Sequence, residues 1–277
     1  MTLDTSLDTS LDMDMNYLAN INKHDRDSCI TFKDDGHIYT IKHAGCLEGE
    51  TGFTSVTTLI HRFVEKFNAD KIINVMMKSS NWPNNKYFGM TKSEIKDGWT
   101  QNGKDAAAAG TKMHFDIECF YNNIPIENTS IEYSYFVNFE NDYCKSLKPY
   151  RTEWLIFDEE LRLAGSIDMV FITPDGSLEI YDWKRSKEII KTNKWNKWMN
   201  NSIISHLPDT NYWHYSLQLN VYKAILMRKY GVTVKNLYLV CLHPNNNNSN
   251  YIRIPVPNLQ DEVKSLFLER ITMLKKL

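Results

Sequence analysis

Leu163-Ala164-Gly165-Ser166-Ile167-Asp168-Met169-Val170-Phe171-Ile172 and, after the turn Pro174-Asp175-Gly176, Leu178-Glu179-Ile180-Tyr181-Asp182-Trp183-Lys184 read as two apolar strands, each with an acid inside it. An unpaired carboxylate among apolar neighbours costs several kcal/mol to bury. A hairpin brings Asp168 and Asp182 together, and adjacent carboxylates repel unless a cation lies between them. A hard divalent ion, Mg2+ or Mn2+, satisfies both. Strand alternation puts Asp182 and Lys184 on one face, where an ammonium can orient a water and balance charge developing on a phosphate. Taken alone, D-x-K reads more simply as an exposed charged pair at a strand end. The acidic strand one hairpin upstream, preceded by Gly165, turns the reading toward a site.

Upstream, Trp154-Leu155-Ile156-Phe157 and the turn Asp158-Glu159-Glu160 complete an antiparallel meander of three strands. Val56, Leu59, Ile60, Phe63, Val64 and Phe67 recur at helical spacing behind Ser55, a helix N-cap. Thr91-Lys92-Ser93-Glu94 has capping-box form and opens a helix running through Ala106–Ala109 to about Tyr121. Another helix lies between Ile131 and Leu147. Near the N-terminus, Ile30-Thr31-Phe32 and His37 to Ile41 flank an Asp-Gly turn, a hairpin. Downstream follow a helix from Tyr215 to Tyr230 closed by Gly231, a strand from Leu237 to Leu242, a strand from Tyr251 to Val256 and an amphipathic terminal helix. The order describes an α/β domain with an N-terminal helical region packed on it. Residues 1–20, with T-S-L-D twice, read as a disordered tail. Residues 21–277 read as one domain, helical over about 55–148 with the chemistry over about 150–277.

The 277 residues carry 32 Lys and Arg against 34 Asp and Glu, and 42% are hydrophobic. That is ample for a buried core. Asp4, Asp8, Asp12 and Asp14 stand in a stretch without Lys or Arg, so the rest is 32 against 30 and local clusters decide partner choice. No window approaches the ~18 apolar residues of a membrane span, and the N-terminus lacks a signal-peptide pattern. The expected setting is intracellular (cytoplasm, nucleus, organelle or viral factory), with no membrane partner and no secretion. Five scattered cysteines, with no CxxC, argue against disulfides and a thiolate metal site.

The motifs resemble the PD-(D/E)XK nuclease superfamily and within it the RecB-type exonuclease domains, with a G-x-x-H helix, a G-x-x-D strand, a D-x-K strand and a Q-x-x-x-Y helix in that order. Here stand Gly110-Thr111-Lys112-Met113-His114, one residue longer than the shorthand, then Gly165-Ser166-Ile167-Asp168, Asp182-Trp183-Lys184 and Gln218-Leu219-Asn220-Val221-Tyr222. The N-terminal hairpin and the Ser55 helix are similar to entry regions of viral and mitochondrial single-strand exonucleases. The resemblance implies a restriction-endonuclease-like α/β core, a mixed central sheet flanked by helices. It implies Asp168 and Asp182 as metal ligands, the backbone carbonyl of Trp183 completing the shell, and Lys184 positioning water or stabilising charge. His114 would approach a second metal or the scissile phosphate; the alternative is a core or helix-surface histidine. Glu118, one turn after His114, and Glu153, at the start of the first strand, would be auxiliary acids or simply solvent-exposed. Gln218 and Tyr222 would line the site and touch substrate, or form a satisfied polar pair near the core.

The segment holding Arg185, Lys187, Lys191, Lys194, Trp195, Lys197 and Trp198 mixes cations with aromatic faces, a combination suited to a single-stranded DNA path. Its alternative is a solvated loop whose tryptophans pack back on the domain. Some RecB-type relatives hold an iron-sulfur cluster with three cysteines near the C-terminus; only Cys241 lies downstream here, so no cluster is expected. No Walker A motif is present, so no ATP is expected and unwinding falls to a helicase or replication partner. The implied function is a Mg2+-dependent deoxyribonuclease, an exonuclease on single-stranded DNA or DNA ends in replication, recombination or repair. The rivals are a catalytically silent nucleic-acid-binding module and a site-specific endonuclease on the same fold.

Overall fold

The computed structural model describes residues 14–43, 49–143, 145–192 and 196–276. In chain order it contains α1 (Tyr17–Ile21), β1 (Ile30–Lys33), β2 (Ile38–Ile41), β3 (Thr54–Ser55), α2 (Val56–His61), α3 (Ala69–Met77), α4 (Lys92–Tyr121) and α5 (Ile131–Tyr143). There follow β4 (Lys148–Asp158), β5 (Leu163–Ile172), β6 (Leu178–Lys184), α6 (Asn211–Lys229), β7 (Val234–Cys241), β8 (Ile252–Pro255) and α7 (Gln260–Leu274).

The meander β4-β5-β6 belongs to a mixed six-stranded sheet, with β4 at one edge and β7 and β8 beyond β6. β4 follows β5 along nearly its whole length. On the other edge of β5 the pairing is split. β6 runs antiparallel to it only from Met169↔Tyr181 to Ile172↔Leu178. β6 then continues with β7, parallel through Asp182↔Leu239 and Lys184↔Cys241, and β8 closes that side. The short β3 takes up the β5 edge again, parallel, at Leu163 and Ala164. Between those two pairings β5 and β6 diverge, and Gly165–Asp168 and Asp182–Lys184 line the resulting fork.

Each face of the sheet is covered. Leu163, Ile167, Leu178 and Ile180 pack with α2, α6 and α7, through Leu59, Ile60, Leu217, Ile225, Val263 and Phe267. Met169, Phe171, Tyr181 and Trp183 face α4 and α5, where Met113, Ile117, Phe136 and Phe139 meet them. Adjacent residues from Met169 to Ile172 and at Ile180–Tyr181 serve opposite cores, so these stretches are nearly apolar and an acid beside them stands out. The β1-β2 hairpin makes a smaller cluster with Phe157 and Ala164. This is the mixed α/β sheet flanked by helices that the sequence implied. No helix among the described residues is long and apolar enough to cross a membrane.

Capping signals set the helix starts. Ser55 Oγ accepts from Thr58 N, and Thr91 and Glu94 form the reciprocal box, so α4 runs for 30 residues. Two local readings change. The stripe read as one helix to Phe67 ends at His61, because the Phe63 carbonyl accepts from Asn200 N at 2.7 Å and the chain turns away; Phe67 is exposed. Residues 17–20, assigned to a disordered tail, belong to α1: Leu18 is buried and its N–H donates to Asn122 Oδ1 at 3.0 Å. Asp14 Oδ1 accepts from Asn16 N at 2.8 Å just before α1, and residues 1–13 of that tail lie outside the described residues.

Candidate active site

The fork explains how the acids come together. Where β6 leaves β5, the Trp183 N–H has no strand partner on that side, and Asp168 Oδ2 accepts from it at 3.0 Å. His114, on α4, reaches the same spot. Its Nε2 is 2.9 Å from the Trp183 carbonyl, which can only accept, so Nε2 carries a hydrogen. Its Nδ1 lies 3.5 Å from Asp168 Oδ2 and 3.9 Å from Glu153 Oε1. Burial opposes charging of the imidazole, but Asp168 and Glu153 outweigh it and hold the pKa up at about 9.

Glu153 enters by an unusual backbone route. Its φ is +41°, in the left-handed region that non-glycine residues rarely adopt and that costs about 1–3 kcal/mol. Ser166 Oγ donates to Glu153 Oε2 at 2.7 Å and fixes the carboxylate. Strain of this kind persists only where the surroundings enforce it, and it gathers at functional sites. Glu118, one turn along α4 from His114, lines the same cleft as His114 and Glu153. Burial first, then the Glu153 charge, push its carboxyl up to about 7.

Asp182 and Lys184 sit one step further into the fork. The Lys184 ammonium lies 2.6 Å from Asp182 Oδ2, and Asp182 is almost fully buried. Burial would strip Lys184 of its proton, but Asp182 and Asp168 reverse that and raise its pKa. Burial and the neighbouring Asp168 charge raise Asp182 in spite of Lys184. Asp168 is likewise raised, by burial above all. Lys184 also lies 4.6 Å from the centroid of the Tyr215 ring, a cation-π contact.

This arrangement suits a divalent cation. One ligand atom each from His114, Glu153 and Asp168 lies within 4.8 Å of the others. Asp182 Oδ2 is buried and, despite its ion pair, makes no aligned hydrogen bond. Carboxylates and an imidazole are donors that Mg2+ or Mn2+ accept. Glu153 stands inside the cluster, whereas Asp182 is held chiefly by Lys184, although the sequence reading paired Asp168 with Asp182.

Gln218 Nε2 donates to Tyr222 Oη at 3.1 Å. Tyr222 is buried and its ring lies against Gly165: a Cβ there would fall 2.6 Å from Tyr222 Cε1. The G-x-x-D glycine and the Q-x-x-x-Y tyrosine are therefore two halves of one packing contact.

The described residues of the expected DNA-binding segment differ in their surroundings. Arg185 is paired with Glu132 of α5 at 2.6 Å. Lys187 is exposed, Lys191 lies over the Tyr212 ring, and Lys197 pairs with Glu65 at 3.0 Å. Trp198 is 46% exposed; its Nε1 donates to Asn196 Oδ1 at 3.0 Å and its backbone forms a β-bridge with Pro208. Lys194 and Trp195 lie outside the described residues. Sequence reasoning missed Tyr215 and Ser166. Tyr215 stands three residues before Gln218 and Ser166 two before Asp168, so helical and strand periodicity would have found both.

The sequence pattern of the PD-(D/E)XK nuclease superfamily matches residues 93–274, from the first turn of α4 to the end of α7. No curated protein matches the chain. Among solved structures, similarity is found to one titled "Crystal structure of SSO0001". It is 14% identical, covers 84% of this chain and 80% of that chain, and has a TM-score of 0.34, too low to carry an argument.

Proposed function

Since the chain belongs to the PD-(D/E)XK nuclease superfamily, we propose that it is a Mg2+-dependent deoxyribonuclease, an exonuclease of RecB type acting on single-stranded DNA or DNA ends. The observation that carries the reading is the fork itself: a half-buried carboxylate, Asp168, and a buried one, Asp182, with His114 and Glu153 against the first and Lys184 against the second. His114, Glu153 and Asp168 would hold the metal, with Asp182 and the Trp183 carbonyl at its margin. A divalent ion bound there supplies charge neutralisation at the phosphate and a more acidic water.

The chain's own groups do the rest. Lys184, kept cationic by Asp182 and set by the Tyr215 ring, directs its N–H donors at the attacking water or the phosphate oxygens. Ser166 keeps Glu153 facing the cluster. Glu118, with its pKa near neutrality, is suited to exchange a proton with the leaving group or solvent. Half-buried Gln218 and buried Tyr222 act as support for Gly165 and leave substrate contact to the exposed cleft.

The decisive assay uses end-labelled single- and double-stranded DNA, linear and circular, with Mg2+, Mn2+ or EDTA. The proposal expects shortening of linear single strands in Mg2+ or Mn2+ only. Cutting of circles would make the protein an endonuclease. Binding without cutting under every metal would make it a silent module.

A further inference from the structure

Beside the acidic cluster lies an open cleft of about 630 Å3 with a mixed lining. His114, Glu118, Glu153 and Ser166 are its polar groups. Phe32, Leu155 and Phe115 are its apolar ones. The volume falls within the range of about 300–1,000 Å3 that encloses drug-sized ligands, and the pairing of aromatic wall and metal-binding groups matches a molecule with a flat ring at one end and a phosphate at the other.

The aromatic wall is built for contact. Phe115 follows His114 on α4 yet is 53% exposed. Phe32 comes from the β1-β2 hairpin, with its ring held by His37 and Tyr39 at centroid distances of 4.9 and 4.7 Å. A rigid ring costs little ordering entropy when a ligand stacks on it. Gly110 is a second sign. It lies inside α4, where glycine is disfavoured, and a Cβ there would meet nothing within 4 Å. Gly98 and Gly103 of the same helix also meet nothing, but Gly110 is the one on the wall of this cleft. No protein atom requires the missing side chain; an occupant of the cleft would.

We propose that this cleft seats one unpaired nucleotide next to the scissile phosphate, its base stacked on Phe115 and Phe32 and its backbone passing Gly110 toward the His114–Glu153–Asp168 cluster. The assignment rests on the nuclease reading above and adds the source of selectivity. Paired bases have no free face for these rings, so a duplex must open by a nucleotide before it is cut, whereas a single strand enters directly.

The test measures single-turnover cleavage in Mg2+ of labelled single-stranded oligonucleotides with one abasic nucleotide placed at each position near the cut. Wild type is compared with Phe115→Ala and Gly110→Leu. In wild type, an abasic site at one position flanking the cut should lower the cleavage efficiency about five- to hundredfold, the range for a base stacked on an aromatic ring. Phe115→Ala should lose a similar factor on the intact oligonucleotide and show no further abasic penalty. Gly110→Leu, which favours the helix and so remains folded, should reproduce that loss by filling the cleft. An equal abasic penalty in wild type and Phe115→Ala, no position-specific penalty in wild type, or wild-type efficiency in Gly110→Leu would each overturn the base seat. Those results leave the nuclease reading standing; absence of any cleavage by wild type in Mg2+ and Mn2+ removes both.

Discussion

Gly165→Ala separates a structural role from a chemical one in the motif before Asp168. A Cβ at this position would lie 2.6 Å from Tyr222 Cε1 and 3.1 Å from its Oη, where ordinary contact begins near 3.4 Å. The ring must therefore retreat by close to 1 Å. It has little freedom to do so, since Tyr222 is 3% exposed, packs in the core under α6 and accepts from Gln218. Overpacking of this kind costs about 1–3 kcal/mol, which corresponds to a fall in Tm of roughly 2–9 °C for a chain of this size. The sign is informative, because elsewhere in a strand alanine is better than glycine by about 0.5–1 kcal/mol. Tyr222→Ala should cost about 3–5 kcal/mol, the range for deleting a large buried aromatic side chain. In that background Gly165→Ala should become neutral or stabilising. Calorimetric Tm values for the four proteins check this. If Gly165→Ala destabilises both backgrounds equally, or neither, the glycine does not serve the Tyr222 contact.

Asp168→Asn and Glu153→Gln should each lower cleavage by at least about a hundredfold while far-UV circular dichroism stays native; a folded Asp168→Asn with wild-type rates would remove the metal site as read. Lys184→Ala leaves Asp182 buried without its cation and should destabilise by about 3–5 kcal/mol, whereas Asp182→Asn/Lys184→Met should recover most of that stability and no activity. Glu159 is held at about 2 because a hydrogen bond from its own backbone N–H, then those from Arg26 and Lys229, outweigh its burial. Its folded pKa is depressed, so its contribution is full above about 4.5, the ordinary glutamate value, and is lost as pH falls from there toward 2. Over that window it amounts to at most about 3 kcal/mol. Glu159→Gln should flatten the acid limb of a urea-stability profile between those pH values, and an unchanged slope would refute the linkage. Trp198→Ala should weaken single-strand binding about five- to hundredfold and Lys187→Ala should lower the salt slope by about one unit, both read by fluorescence anisotropy; equal losses on duplex would make these general surface effects.

The local part of this fold was legible because its signals are local. Ser55 and Thr91-x-x-Glu94 start helices where capping chemistry puts them, and the Pro174-Asp175-Gly176 turn joins the strands that carry the acids. What remained hidden depends on partners far away in sequence. Nothing near Phe63 announces that Asn200 will capture its carbonyl and stop a helix whose apolar stripe continues. Glu153 at φ +41° violates the preference of its own residue type, so a reading from propensity can place it on a strand but cannot aim it. Asp168 and Asp182 were legible as neighbours. The split pairing of β5 was not, because it is set by β3, which takes up the edge of β5 that β6 leaves, and by β7 on the outer edge of β6, both more than fifty residues away in sequence.

The fork also bears on whether the chain is an enzyme or a silent copy of one. Gly165 and Tyr222 match the superfamily motifs but have a complete structural explanation, so their presence says nothing about catalysis. The ionisable groups are different. A buried ion pair such as Asp182–Lys184 is seldom more stable than apolar residues of the same volume, and replacing one is often neutral or favourable by about 1–4 kcal/mol. Glu153 adds backbone strain, and Glu118 a carboxyl driven to near-neutral pKa by burial beside another acid. Each of these features costs stability. Their convergence at one fork, around the hydrogen bond from Trp183 N–H to Asp168, supports the proposed chemistry on a phosphate. Stability therefore decides the question experimentally: an apolar Asp182→Leu/Lys184→Met pair as stable as wild type, or more so, and inactive on DNA, would show that these charges serve the reaction. A collapse of the fold would assign them to structure instead.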